Sequence, residues 1–315
     1  MNSLQRNVLR AAVCLPLVCL PVQVCGQISI TFDYSLDTGG FFSDNARRTL
    51  LQSAANSLTS RLGDTLTAIT PDGVNNTWSE VFNDPGTGSS TSLTGASIPA
   101  NTLLIYVGAR DLSGSTLGLG GPGGFSASGF QSFLDAVSKR GQTGATATDF
   151  GPWGGSISFD NATSWYFDSD PSTSDVPGGQ SDFYSVALHE IGHVLGIGTA
   201  TSWNNLVGSG LFTGANARAA NGGVNVSLDP GNAHWLDGTM SVVPGTATPQ
   251  EAAMDPSLTT GTRKLFTDLD YAGLSDVGWT VTPVPEPTAL AFVFGTGLLI
   301  FAGLRKGQSR TTVNH

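Results

Sequence analysis

Apolar side chains at helical spacing single out one segment. In residues 181–196, Tyr184, Ala187, Leu188, Ile191 and Leu195 share one helical face, a cap candidate stands at the start and Gly196 at the end. The pattern predicts a capped amphipathic helix able to pack on a sheet. Leu50, Leu51, Ala54, Leu58 and Leu62 recur in the same way behind Asp44 and predict a helix over 45–62. Shorter helices are expected at 130–139 and at 268–276, the last stopped by Gly278 and Trp279. Residues 28–34 alternate as a half-buried strand does, 103–107 reads as a short buried strand, and 156–159 and 164–167 read as strands joined by Asp160-Asn161. The glycine-rich stretch 114–129 has neither a repeat nor phosphate-loop spacing and is expected to be loop. Beyond Gly198 the chain reads mostly as loop. Strands followed by a motif-bearing helix predict an α+β fold: a mixed twisted sheet and that helix in an N-terminal lobe of about 27–198, a loop-rich C-terminal lobe of about 199–282 with a final helix, and a cleft between them.

The two ends follow other rules. Arg6 and Arg10 precede an apolar run over 11–20, then Val24 and Gly26, which predicts a signal peptide over 1–26 and export. A run of about ten residues is too short to span a bilayer. Cys14, Cys19 and Cys25, the three cysteines of the chain, fall in that leader, so the exported part is expected to carry no thiol and no disulfide. Only 12% of residues are charged and 41 are glycine, which requires a surface of neutral polar groups and turns. Between 27 and 285 nine basic residues face 23 acidic ones, the 24 of the chain less Glu286, a net charge near −14 that argues against a nucleic-acid partner.

Candidate chemistry sits on the predicted helix. His189 and His193 are one turn apart, so both imidazoles can reach one metal ion, and Glu190 stands to the side where its carboxylate can address a water on that ion. Zinc brings the pKa of such a water to about 7, and the neighbouring carboxylate can accept its proton and pass it to a leaving amine. A catalytic zinc site takes three protein ligands, and the choices are His234, Asp237, Glu251 or none. Of the four histidines, His315 lies beyond a C-terminal apolar span, so His234 is the spare imidazole, and Asp237 beside it is a candidate to orient it. Asp168, Asp170 and Asp175 are a candidate calcium group, with a solvated acidic loop as the alternative.

His-Glu-x-x-His-x-x-Gly over 189–196, then His234-Trp235 and Glu251-Ala252-Ala253-Met254-Asp255-Pro256, resembles the metzincin peptidases. That resemblance implies a two-lobed zincin fold, one catalytic zinc, a protein or peptide substrate, and Met254 as the methionine turn beneath the metal. Most metzincins carry the third histidine where this chain has Thr199. The delay to His234 is similar to leishmanolysin-type members and to matrixin-like peptidases with a sorting tail. It leaves no spare imidazole for the oxyanion, so Tyr271 or Tyr184 becomes a candidate, with a core position as the alternative for each. The segment 154–159 is either the edge strand that pairs with an extended peptide, as in metzincins, or an internal strand. Pro285-Glu286-Pro287, an apolar span over 288–304, then Arg305, Lys306 and Arg310 resemble the PEP-CTERM sorting signal of Gram-negative bacteria, taken as 283–310. This implies a transient inner-membrane anchor cut by an exosortase and delivery to the surface or matrix; a retained anchor is the alternative. The reading is a secreted zinc endopeptidase. Its alternatives are an inactive zincin-fold surface or matrix binding protein and a zinc amidase acting on a non-peptide amide.

Overall fold

The computed structural model describes residues 28–142 and 148–283. The leader and the 288–304 span lie outside them, and among the described residues no helix is long and apolar enough to cross a membrane.

The architecture is the α+β arrangement expected of a metzincin-like fold, organised by a mixed sheet. Strand β1 (Ser29–Asp33) is followed by α1 (Asn45–Thr59), whose N-cap Asp44 accepts the Ala46 N–H at 2.8 Å. Leu62, expected within the helix, is buried beyond it in a bridge with Val281. Strands β2 (Thr77–Asn83) and β3 (Ser90–Thr94) come next, then β4 (Thr102–Arg110), β5 (Gly118–Pro122), β6 (Gly124–Ser128), α2 (Gln131–Lys139) and β7 (Gly154–Asp160). The main sheet runs β1-β4-β7-β5, with β1, β4 and β7 parallel and β5 antiparallel at the edge. A second sheet, β3-β2-β6, is antiparallel throughout.

β4 is buried along nearly its whole length because both of its faces are covered. Leu103, Ile105 and Val107 belong to the core under α1, and Tyr106 packs on the other side with Trp78, Phe82 and Trp153. The aromatic core of the first face closes around Phe183, whose ring centroid lies 4.6 Å from that of Phe159 and 5.5 Å from that of Trp165.

One pair of alternatives is decided here and one expectation is corrected. The segment 154–159 is an internal strand, paired on one side with β4 and on the other with β5. The edge strand comes from the glycine-rich stretch expected to be loop, and its composition has a tertiary cause. A Cβ at Gly118 would stand 2.5 Å from Glu190 Oε1, and one at Gly120 would stand 2.5 Å from the Glu190 carbonyl oxygen. Glycine lets this strand lie directly on the helix below it.

The short strands β8 (Trp165–Tyr166) and β9 (Ser181–Asp182) pair in parallel and lead into α3 (Phe183–Val194). The rest of the chain holds more regular structure than expected: α4 (Thr201–Asn204), a three-stranded unit of β10 (Val207–Gly208), β11 (Leu211–Phe212) and β12 (Val226–Ser227), α5 (Ala215–Ala220), the hairpin of β13 (Met240–Val242) and β14 (Pro249–Glu251), and α6 (Asp268–Val277). Trp203 stacks on Phe212 at 4.1 Å and both meet Trp235, so this part shares one continuous core with the sheet.

Candidate metal centre and cleft

α3 begins at Asp182, whose Oδ2 accepts the Ser185 N–H at 3.1 Å and its hydroxyl at 2.6 Å. The same carboxylate is gripped by Arg263, through Nε at 2.9 Å and Nη2 at 2.7 Å, and Arg263 also reaches Asp168 at 2.8 Å. A buried cation therefore ties the start of the motif helix to the distal part of the chain. It also engages Asp168, one of the three candidate calcium carboxylates. Asp170 instead accepts from Ser172, and Asp175 from Thr173 and Tyr166.

His189, His193 and His234 converge. Nε2 of His193 lies 3.0 Å from Nε2 of His189 and 3.1 Å from that of His234. The opposite ring nitrogens face acceptors: Nδ1 of His189 stands 2.7 Å from Ala253 O, that of His193 2.8 Å from Ile197 O, and that of His234 3.4 Å from Asp229 Oδ2. A nitrogen facing a carbonyl must carry the proton, which leaves the Nε2 lone pairs pointing at one another. Three lone pairs in one small space repel unless a cation sits among them. Tetrahedral zinc with nitrogen at about 2.0–2.1 Å would hold its ligands about 3.3 Å apart, within a few tenths of the two distances from His193. The residues present therefore fit a metal, and among the described residues they are the one such group. Burial, then the other two imidazoles, hold His189 well below the ordinary histidine range, and burial, then His234, brings His193 down to about 4. Neutral imidazole is the form that binds metal.

The floor is made from the far end of the chain. Met254 is fully buried, and a Cβ at Gly192 would lie 2.5 Å from its sulfur, so the glycine inside α3 makes room for this thioether. Asp270, on α6, holds the turn: it accepts from the Ala253 and Met254 N–H groups at 2.9 and 3.1 Å, from Trp235 Nε1 at 2.9 Å, and from Thr267 N and Oγ1 at 2.8 and 2.7 Å. Removing this acceptor strands several buried donors, each costing about 1–3 kcal/mol. Asp270→Ala is expected to destabilise the protein by at least about 3 kcal/mol; a denaturant midpoint close to that of the unaltered protein would contradict this role.

Glu190 is buried, 5% exposed, beneath β5 and accepts a hydrogen bond from the Gly120 N–H; burial pushes its carboxyl up to about 8 against that bond. Glu190 and the three imidazoles line one cavity of about 800 Å3, roofed by 114–120 and walled by 253–264.

Other sequence candidates fall elsewhere. Asp237 accepts from Ser257 Oγ at 2.5 Å, and the carboxylate at His234 is Asp229, which also accepts the His234 N–H at 3.0 Å. The turn-prone Asp229-Pro230-Gly231-Asn232 was the available signal for it. Tyr271 is buried under the Arg61 guanidinium, 3.7 Å from its ring centroid, and Tyr184 lies beside Arg263; neither lines the cavity. Thr199 lines it but donates to His193 O at 2.6 Å, and Glu251 pairs with Lys264 at 2.7 Å.

The matrixin family model matches residues 130–209, from the start of α2 past β10, and so takes in His189, Glu190 and His193 but stops short of His234 and Met254. No curated protein and no solved structure matches. The match over the motif helix and the convergence of the three imidazoles together support a metzincin-like family of zinc metallopeptidases for this chain.

Proposed function

We propose that the protein is an exported zinc endopeptidase in which His189, His193 and His234 hold the metal and Glu190 is the general base. The observation that carries this reading is a buried carboxylate and three convergent imidazoles in one cavity under an exposed sheet edge. Zinc bound by the three imidazoles would supply Lewis-acid chemistry, acidifying water to near neutrality and polarising a carbonyl. The remaining work belongs to the protein. Among the described residues β5 is paired on one side alone, with β7, so its outer edge can take up an extended peptide as a further strand. Glu190, fixed by the Gly120 N–H, accepts the proton of the attacking water on its carboxylate and returns it to the departing amine. The raised affinity of this carboxyl for a proton suits both halves of that transfer, and a cation among the imidazoles draws it back toward the ionised form.

The leader pattern of 1–26 supports export, and the 283–310 pattern supports a transient membrane anchor and release by an exosortase-like enzyme to the surface or matrix. The test is incubation of the purified, zinc-loaded protein with a denatured protein. Fragmentation is expected, abolished by a zinc chelator and restored by added zinc. An unchanged substrate, or cleavage indifferent to the chelator, would overturn the proposal.

A further inference from the structure

Two ion clusters of the same make-up stand behind the cleft wall beside His189. Arg263 is shared by Asp168 and Asp182, at 2.8 and 2.7 Å, and Lys264 by Asp255 and Glu251, at 2.6 and 2.7 Å. Each sets one cation against two carboxylates, so each carries a formal charge of −1. The Lys264 ammonium donates to Asp255 Oδ1 and to the Ser257 carbonyl at 2.8 Å and pairs with Glu251 Oε2, so its charge is already matched by two carboxylates. Asp255 lines the cavity, is 1% exposed, and its Oδ2 has no hydrogen-bond partner among the described residues.

The space in front of these clusters is lined by Ser181, Ser185, Ser257 and Thr260, with Val186, Pro256 and Leu258 among them. Its place relative to the metal centre is set by α3. Ser185 stands one helical turn before His189, about 6 Å along the axis, and its Oγ accepts the Lys264 N–H at 2.8 Å. A substrate side chain next to the cleaved bond would enter here. Excess negative charge behind a buried wall focuses its field into the cleft, and the Ser185 and Ser257 hydroxyls, whose protons go to Asp182 and Asp237, have only lone pairs left to offer an entering group. Both effects favour a cation and disfavour a carboxylate.

Building on the peptidase reading above, we propose that this part of the cleft takes a basic side chain, lysine or arginine, from the substrate residue adjoining the cleaved bond, and that Asp255 with its ion partners sets the preference.

The experiment uses full-length zinc-loaded protein and quenched fluorogenic peptides that differ at one residue. Each of the two positions flanking the cleaved bond carries Lys, Arg, Leu or Glu in turn. At one of them kcat/KM for Lys or Arg is expected to exceed that for Leu by about tenfold or more, with Glu poorer still. Asp255→Asn and Glu251→Gln are each expected to shrink the Lys-to-Glu ratio several-fold, with thermal melts establishing that the variants are folded. Glu251 is half-exposed and removes one charge without opening the core, so it carries the comparison if Asp255→Asn fails to fold. Leu or Glu peptides cut as well as Lys peptides, or a ratio unmoved in the folded variants, would overturn the subsite and leave the peptidase intact. If no peptide of the set is cut, the peptidase reading falls and the subsite with it.

Discussion

Glu190→Gln is expected to lower kcat/KM by about 10^3 to 10^4-fold while zinc stays at one ion per chain. The argument begins with shape. Glutamine has the volume of glutamate and keeps a carbonyl oxygen to accept the Gly120 N–H, so the contact that seats the side chain under β5 survives. The close approach of Gly118 to this side chain leaves no room for a larger replacement, and the amide needs none. The proton acceptor alone is lost. No substitute is at hand: the three imidazoles would be taken up by the metal, and Asp255 and Lys264, the other ionisable groups lining the cavity, are paired with each other. Because burial disfavours the charged carboxylate, the amide is expected to leave the thermal midpoint unchanged or to raise it. The measurements are zinc per chain, a melt, and kcat/KM on one fluorogenic peptide. Turnover within tenfold of the unaltered protein would move the base to another residue.

The parts of this molecule that could be read from its sequence are those whose cause is local. α3 announces itself because period, cap and stop agree over sixteen positions, and His189 and His193 follow from one helical turn. β5 was hidden for the opposite reason. Its Gly118, Gly120 and Gly121 carry no strand preference, and the demand for glycine at 118 and 120 comes from Glu190, some seventy residues on. β2 did carry a signal, since Trp78, Glu80 and Phe82 alternate inward, but the charged member breaks the apolar pattern. Glu80 is buried because it accepts the Tyr106 hydroxyl at 2.7 Å and the Ala96 N–H at 3.1 Å, partners that alternation cannot reveal. The sequence points to Asp237, three residues after His234, for the carboxylate behind it, whereas that carboxylate belongs to Asp229, five residues before it. The chain doubles back there, with the Asp229 N–H donated to the His234 carbonyl at 3.0 Å and the Asn232 N–H to the Asp229 carbonyl at 2.9 Å. Chain direction within a turn is what separation along the sequence does not encode. Asp270 belongs to the same class: its five donors come from Trp235, Ala253, Met254 and Thr267, which only the fold brings together.

His234→Ala is expected to abolish stoichiometric zinc and peptidase activity together. Its Nε2 is one of three that converge within 4.8 Å, and two imidazoles on one helical turn would leave a metal ion open on the side that β12 and the turn after it supply. The imidazole is placed by its neighbours on both sides. Asp229 accepts the Ala233 and His234 N–H groups at 2.9 and 3.0 Å, and Trp235 is fully buried with its own N–H donated to Met254 O at 3.0 Å. Loss of the side chain at 234 therefore leaves this framework standing, and the variant is expected to fold. Asp229→Asn tests the support and not the ligand: it is expected to weaken zinc binding about 10–100-fold, the usual effect of removing a carboxylate that orients a metal-binding histidine. Thr199→Ala, Asp237→Asn and Glu251→Gln are expected to keep the metal, because their side chains bind His193 O, Ser257 and Lys264 respectively. Zinc per chain in the five purified, folded variants decides the matter, read after dialysis against a weak competitor so that the intermediate affinity of Asp229→Asn is visible. Full zinc in His234→Ala, with loss in Thr199→Ala, Asp237→Asn or Glu251→Gln, would place the third ligand elsewhere and remove the basis for a metzincin-like centre.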